Sequence, residues 1–218
     1  MGEQAFADLD PRAPLFFMSY AHTEKNTPPG SNELAMRFFN DLCVDLAVLV
    51  PRIPGAPYGF IDRSMGGGER WEGELLDALG TCQVFIPLLM APYMRSEWCA
   101  MEWHGFSRRR VVRLNHSASV RQTCILPIIW APAPGGFPEI VGSVERFAGE
   151  DDLHIFAKEI ALYEAHGVFG LRRLGKSNEY HTVVWLLAQR IQKILMHHRV
   201  EPLALDVRTL GTTFEEPR

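Results

Sequence analysis

Four short apolar runs alternate along the chain with segments of helical periodicity, and this alternation is the strongest constraint on the fold. Runs of this length, rich in large apolar residues, are typical of buried strands. They cover residues 15–20, 58–62, 82–89 and 123–130. Strands that alternate with helices over short connections favour an α/β fold: a flavodoxin-like, mainly parallel sheet of about five strands with helices on both faces.

The segments between and after these runs predict the helices. The first covers 32–49, and Ser31 or Asn32 is placed to cap it. The second runs from Trp71 to Leu79 and stops at Gly80. The third is capped by Ser96 and is expected to reach about Val112. An irregular helix over 153–174 and a regular one over 180–198 complete the set.

Two prolines fall inside predicted strands. Pro87 lies in the third strand and Pro127 in the fourth. Proline cannot donate a ladder hydrogen bond, so we expect a bulge or an early strand end at each.

The composition predicts one folded domain. The chain has 218 residues, 47% of them hydrophobic and 22% charged. Residues 1–13 are expected to be a flexible lead-in, 14–200 a single domain with a helical C-terminal part over 153–198, and 201–218 a tail or linker.

Charge, cysteines and hydropathy exclude several functions. The net charge of −4 gives no footprint for direct nucleic-acid binding. Four scattered cysteines indicate a reducing, cytoplasmic setting. No signal peptide and no apolar run of about 18 residues is found, so no membrane association is expected. The histidines lack metal-binding spacing, so no metal is predicted.

Several polar residues follow the predicted strands at their carboxyl ends. Ser19 and Tyr20 end the first strand, Asp62 ends the second, and Glu102 lies early in the helix after the third. The carboxyl ends of parallel strands form the ligand crevice of such sheets. These residues are therefore predicted to meet in one site.

Glu102 lies between two aromatic residues on one helix face. Trp98, Glu102 and Phe106 are spaced by four. A carboxylate in that position is partly desolvated unless it is paired. Its alternative role is a structural ion pair with Arg95 or with an arginine of the run 108–110. The run itself is expected to form a solvated helix end.

The glycine loop at Gly66, Gly67 and Gly68 precedes Trp71. It lacks both the G-x-x-x-x-G-K-[ST] and the G-x-G-x-x-G pattern, so a phosphate-binding loop is not predicted. Three successive glycines suit a mobile lid, an oligomer contact or a long surface turn.

Taken together, these motifs resemble the TIR domain family over roughly residues 15–130. The S-Y-A at 19–21 is similar to the family's first box, and G-F-I-D at 59–62 with the glycine loop is similar to its second strand and BB loop. The segment 82–102, which ends in W-C-A-M-E, resembles its third strand and W-x-x-x-E helix. R-F-F-N-D-L-C, F-I-D-R-S-M and G-L-R-R-L resemble the actinobacterial TIR-like FxsC type.

The resemblance implies an enzyme that consumes NAD+ as substrate, without a further cofactor, in bacterial defence or stress signalling. Cleavage at the nicotinamide–ribose bond yields ADP-ribose or a cyclic signal. Self-association through TIR surfaces is expected as well. The resemblance makes Glu102 the catalytic residue and assigns substrate contacts to Tyr20, Asp62, Trp71 and Trp98, beside Ser19 of the first box.

The pattern also departs from active members of the family. Ala21 and His22 replace basic residues that some of those members carry. Two alternatives therefore stay open: a catalytically silent module that self-associates through its glycine loop and helices, and a nucleotide sensor without cleavage.

Overall fold

Four parallel strands form one sheet at the centre of the computed structural model, which describes residues 6, 8–22, 31–62, 69–114, 123–144, 146–147 and 155–214. The strands are β1 (Phe16–Ser19), β2 (Gly59–Ile61), β3 (Val84–Leu89) and β5 (Ile128–Ile129). They lie in the order β2-β1-β3-β5. The α/β prediction with a mainly parallel, flavodoxin-like sheet is confirmed.

The strand order places a topological switch point between β1 and β3. The chain passes from β1 to β2 on one side and then returns to β3 on the other side of β1. Connections that leave a sheet in opposite directions open a crevice at the carboxyl ends of the strands. Residues that follow β1 and β3 therefore border this crevice.

Helices cover both faces of the sheet. They are α1 (Ser31–Leu49), α2 (Glu69–Thr81), α3 (Glu97–Ser107), α4 (Glu139–Gly142), α5 (Ala157–Arg173) and α6 (Ser177–His197). On β1, Phe16 packs against Phe39 of α1, with ring centroids 5.4 Å apart. Phe17 points to the opposite face and stacks on Phe85, which stacks in turn on Phe106 of α3. Among the described residues, no helix is long and apolar enough to cross a membrane.

The two strand prolines have different outcomes. Near Pro127 the fourth predicted strand is reduced to Ile128–Ile129 and an isolated bridge between Phe85 and Ile125. At Pro87 the third strand continues, with Pro87 opposite Ser19. Phe85 donates its N–H to Cys124, and the nitrogen of Pro87 points to this same side because residues two apart in a strand do so. On that side, β3 faces a segment whose pairing before Ile128 is reduced to the single bridge between Phe85 and Ile125, so the missing donor of Pro87 is tolerated there.

Helix α3 ends at Ser107, so the prediction that it reaches about Val112 was wrong. Residues Val111–Arg113 instead form β4, which pairs antiparallel with β6 (His198–Val200). The cause lies at Arg109, which is only 5% exposed and had been expected at a solvated helix end.

The guanidinium of Arg109 donates to four backbone carbonyls from distant segments. The acceptors are the oxygens of Leu79, Cys82, Val200 and Glu201, at 2.6–3.3 Å. A buried guanidinium is tolerated only when such donors are satisfied. Arg109 therefore joins the end of α2 to the chain that follows β6.

A kink at Gly167 accounts for the irregular helix predicted over 153–174. Gly167 has φ 68° inside α5. A Cβ there would lie 2.4 Å from the carbonyl oxygen of Trp130. Only glycine permits both this backbone conformation and this close approach.

Residues 201–214, here called the C-terminal strap, pack along the domain although the sequence predicted a tail or linker. The N–H of Leu203 donates to the carbonyl of Gly80 at 3.0 Å. Leu210 is 8% exposed, and Phe214 is 4% exposed. The segment lacks periodicity because it is held by separate contacts rather than by one regular element.

Candidate functional site

The carboxyl of Glu102 is the centre of the candidate site. The helix that carries it starts at a side-chain cap: the hydroxyl of Ser96 accepts the N–H of Cys99 at 3.3 Å. This start places Glu102 in the middle of α3, 5% exposed, beside the carboxyl end of β1.

Two hydroxyl groups hold this carboxyl. Ser19, the last residue of β1, donates a hydrogen bond to Oε2 of Glu102. The hydroxyl of Tyr93 lies 2.8 Å from Oγ of Ser19. Because Ser19 has a single proton and gives it to Glu102, Tyr93 is the donor to Ser19. The three side chains form a buried chain of hydrogen bonds from the loop after β3 to α3.

Burial raises the pKa of Glu102 to about 8. The hydrogen bond from Ser19 lowers this pKa, and the negative charge of Asp62 raises it. The protonated form of Glu102 is therefore favoured near neutral pH. The neutral form avoids the large cost of an unpaired buried charge.

The arginines of the run 108–110, proposed as ion-pair partners of Glu102, bind elsewhere. Arg108 donates to Thr209 at 2.9 Å, Arg109 donates to backbone carbonyls, and Arg110 lies 3.6 Å from Glu201. Among the described residues, no cation pairs with Glu102. The run 108–110 therefore does not form the structural ion pair with Glu102.

A second polar group lies across the same edge of the sheet. Asp62 follows β2 and is 6% exposed. Its Oδ2 lies 3.1 Å from Nε2 of His22. The carboxylate only accepts, so the Nε2–H of His22 donates to it. In the neutral imidazole, Nδ1 then accepts from the hydroxyl of Tyr20 at 3.2 Å.

The remaining ionisable groups of the site stay protonated. Burial and then the charge of Asp62 raise the pKa of Tyr20 to about 12. Burial raises the pKa of Tyr93 well above its ordinary value. Burial and then the charge of Glu102 also raise the pKa of the Cys99 thiol. A protonated thiol is a poor nucleophile, so Cys99 is a packing residue here.

Several predicted site residues meet at this edge, and others do not. The residues that converge are Ser19, Tyr20, Asp62 and Glu102. Trp98 lies one turn before Glu102 and is half-buried. Trp71 falls in the first turn of α2. Gly66, Gly67 and Gly68 lie outside the described residues.

The prediction that two aromatic rings flank Glu102 needs a correction at Phe106. Phe106 belongs to the sheet-facing core, stacked on Phe85 with centroids 5.4 Å apart. The contact that defines the Glu102 carboxyl is the hydroxyl of Ser19. Glu102 is desolvated by the whole interface between α3 and the sheet.

Two members of the site, Tyr93 and His22, were not predicted as site residues. Tyr93 belongs to a 3-10 helix (Tyr93–Arg95) in the loop after β3. The sequence feature that could have identified Tyr93 is its position just after the carboxyl end of the third predicted strand. His22 was noted as a departure from the TIR pattern, and its partner Asp62 lies 40 residues away.

Within the described ranges, no group of three or more metal-ligating side chains occurs. The site offers hydroxyls, two carboxyls and one imidazole to a ligand. Such a set suits an organic ligand with hydroxyl groups and a positive charge. No protein-family model matches the chain, and no curated protein was found to match it.

Proposed function

We propose that the chain is a TIR-type enzyme that cleaves NAD+ between nicotinamide and ribose, with Glu102 as the catalytic carboxyl. The observation that carries this proposal is the placement of Glu102. Its carboxyl is buried at the carboxyl edge of β1 and is held by the hydroxyl of Ser19. Among the described residues, no cation neutralises it.

This environment suits a reaction that develops positive charge. When the bond from ribose C1′ to the nicotinamide nitrogen breaks, the electron pair leaves with neutral nicotinamide. The ribosyl centre becomes an oxocarbenium-like cation. A carboxylate in a site of low dielectric stabilises such a cation much more strongly than one in water.

The raised pKa of Glu102 fits a cationic substrate. The nicotinamide ring of bound NAD+ is itself positively charged, and a nearby cation favours the ionised carboxyl. Binding therefore lowers the pKa of Glu102 and creates the charge where the reaction uses it. Without substrate, the protonated form avoids an unpaired buried charge.

The neighbouring residues have proposed roles in binding. Ser19 fixes the orientation of the carboxyl, and Tyr20 and Asp62 offer hydrogen bonds to ribose hydroxyls. Trp71 and Trp98 supply flat surfaces on which a nicotinamide or adenine ring stacks. Attack of water at C1′ yields ADP-ribose and one proton. Attack by an atom of the same molecule yields a cyclic product.

The test is the turnover of NAD+ by purified protein over a range of concentrations, with products separated by chromatography. Glu102→Gln keeps the size and the neutral charge of the protonated carboxyl, so the fold is retained. We expect a loss of at least about 100-fold in kcat/KM. Glu97→Gln, an exposed position on the same helix, is the matched control and keeps full activity. Wild-type protein that leaves NAD+ intact at every concentration would refute the proposal.

The second candidate is a catalytically silent assembly module. It is favoured by the 5% exposure of Glu102, because a carboxyl satisfied by Ser19 also serves to fix α3 against β1. This function predicts concentration-dependent assembly that substitution of Gly66, Gly67 or Gly68 abolishes. It also predicts that NAD+ neither disappears nor shifts the melting temperature.

A further inference from the structure

The C-terminal strap is fastened along the outer side of α3, the helix that carries Glu102. The ring of His104 lies 2.8 Å from the carbonyl oxygen of Thr213. Gly211 passes so close that an added Cβ would lie 2.7 Å from the His104 ring. The strap is therefore held against α3 at the residues just before Phe214.

The last described residue of the strap, Phe214, is buried between two aromatic rings. Its centroid lies 5.6 Å from that of Tyr93 and 6.1 Å from that of Trp103, the latter edge-on. Tyr93 has no exposed surface, and Trp103 is 1% exposed. Phe214 itself is 4% exposed, so the strap covers both rings.

One of these rings belongs to the candidate site. The hydroxyl of Tyr93 lies 2.8 Å from Ser19, and Ser19 donates to Glu102. A continuous series of contacts thus runs from Phe214 through Tyr93 and Ser19 to the Glu102 carboxyl.

We propose that Phe214 is a positioning residue for Glu102: its ring holds Tyr93 where the Tyr93 hydroxyl fixes Ser19, and Ser19 fixes the carboxyl. The catalytic meaning of this role rests on the proposed function. The contacts themselves do not, because they exist without substrate. Through Phe214 alone, the C-terminal strap thereby contributes to the position of the Glu102 carboxyl.

Loss of the Phe214 ring has a defined consequence. Water reaches the face of Tyr93, and the Tyr93 hydroxyl gains an alternative partner to Ser19. The desolvation that raises the pKa of Glu102 weakens. The pKa of Glu102 then falls toward the ordinary range of a glutamate.

The experiment follows the titration of Glu102 in the full chain without substrate, by carbon NMR of labelled glutamate carboxyls. Glu102→Gln identifies the signal. The variant is Phe214→Ala, and Leu210→Ala is the matched control. Leu210 is a buried residue of the same strap that lies near Gly105 rather than Tyr93. We expect Phe214→Ala to lower the pKa of Glu102 by about one pH unit or more, and Leu210→Ala to leave it in place.

Each outcome decides the proposal. It is overturned if Phe214→Ala titrates like wild type, or if Leu210→Ala produces an equal fall, which would indicate general loosening. Phe214→Leu keeps most of the apolar cover and should restore the pKa in large part. If Phe214→Ala does not fold, Phe214→Leu decides. A fall of about 0.3 pH unit or more relative to Leu210→Ala supports the role, and an unchanged value overturns it.

Activity is measured on the same proteins with NAD+. The ascending limb of kcat/KM against pH should move down with the NMR titration in Phe214→Ala. Absent NAD+ turnover in wild type together with the NMR shift would refute the proposed function and leave the positioning role standing. Turnover in wild type without the NMR shift would support the proposed function and refute the positioning role.

Discussion

Ser19 and Glu102, 83 residues apart, meet in one hydrogen bond that ties the end of β1 to the middle of α3. This contact holds the Glu102 carboxyl at the crevice by the switch point, where the carboxyl is shielded from water. Burial favours the protonated form, and the hydroxyl of Ser19 and the charge of Asp62 adjust that preference in opposite directions. The behaviour of Glu102 with pH therefore reports the site directly.

Activity should rise with pH as Glu102 loses its proton. The carboxylate is the form that stabilises the ribosyl cation, and the pKa of Glu102 is raised to about 8 in the free protein. We expect kcat/KM to increase about tenfold per pH unit below this value and to level off above it. The limb in kcat should lie at lower pH, since the bound cationic substrate favours the carboxylate. Initial rates between pH 6 and 9.5 check this, and a flat or falling profile over that range would contradict it.

Asp62→Asn should move the ascending limb to lower pH. The charge of Asp62 raises the pKa of Glu102, so removing that charge makes ionisation easier. A fall of about half a pH unit is the expected size for a nearby like charge. Asp206→Asn, at an exposed site paired with Arg208, is the control that leaves the limb in place. A limb that stays fixed in Asp62→Asn would show that the two carboxyls do not interact.

The free energy of unfolding should also depend on pH through the ionisation of Glu102, and the shifted pKa fixes the direction of that dependence. The pKa of Glu102 is higher in the folded state than the ordinary value of 4.5, so the folded state binds the proton more tightly. This contribution is fully present below about pH 4.5 and is lost as the pH rises toward 8, at a cost of a few kcal/mol.

Glu102→Gln has no such proton to lose. Its melting temperature should rise relative to that of wild type between pH 5 and pH 8.5. Parallel thermal unfolding of the two proteins measures the difference. Equal pH dependence in both would mean that the Glu102 carboxyl is ionised at low pH and is not desolvated as described.

The sequence predicted the local order of the fold and the edge at which the site lies, but not its distant contacts. Apolar runs and helical spacing report the burial of one face at a time, and Ser19, Asp62 and Glu102 were located from strand ends. The hydrogen bonds of Arg109 depend on carbonyls from two other segments. No pattern around residue 109 encodes them, so a solvated helix end was the wrong interpretation.

The C-terminal strap escaped prediction for a related reason. It has no periodic face to recognise, and its buried residues, Leu210 and Phe214, contact α3 and the loop after β3 one at a time. The glycines that admit it, Gly80 and Gly105, sit in helices where they look like weak points or helix ends. Their need for small size becomes visible only once the strap is in place.

Arg109→Met should destabilise the fold strongly. Methionine keeps much of the apolar stem but leaves buried carbonyls of the α2 end and of the chain after β6 without donors. Leaving such acceptors unsatisfied costs about 2–4 kcal/mol in the free energy of unfolding. Arg110→Met is the matched control, since the Arg110 side chain is 77% exposed, and a change within about 0.5 kcal/mol is expected. Chemical denaturation distinguishes the two, and similar midpoints would argue that water replaces the guanidinium.

Two glycines of α2 should respond to alanine in opposite directions. Gly73 has open space around it, so Gly73→Ala adds helix propensity and should stabilise by about 0.5–1 kcal/mol. At Gly80 a Cβ would lie 2.4 Å from the carbonyl oxygen of Leu203, a backbone atom of the strap that cannot rotate away. Gly80→Ala must therefore push the strap outward or bend α2, at a cost of about 1–3 kcal/mol.

Denaturant midpoints give the sign of each change, and amide exchange at Leu203 shows where the strain is relieved. Leu203 donates to the carbonyl of Gly80, so its N–H should exchange faster in Gly80→Ala and not in Gly73→Ala. If both variants gained stability, the strap would have to lie farther from α2 than described.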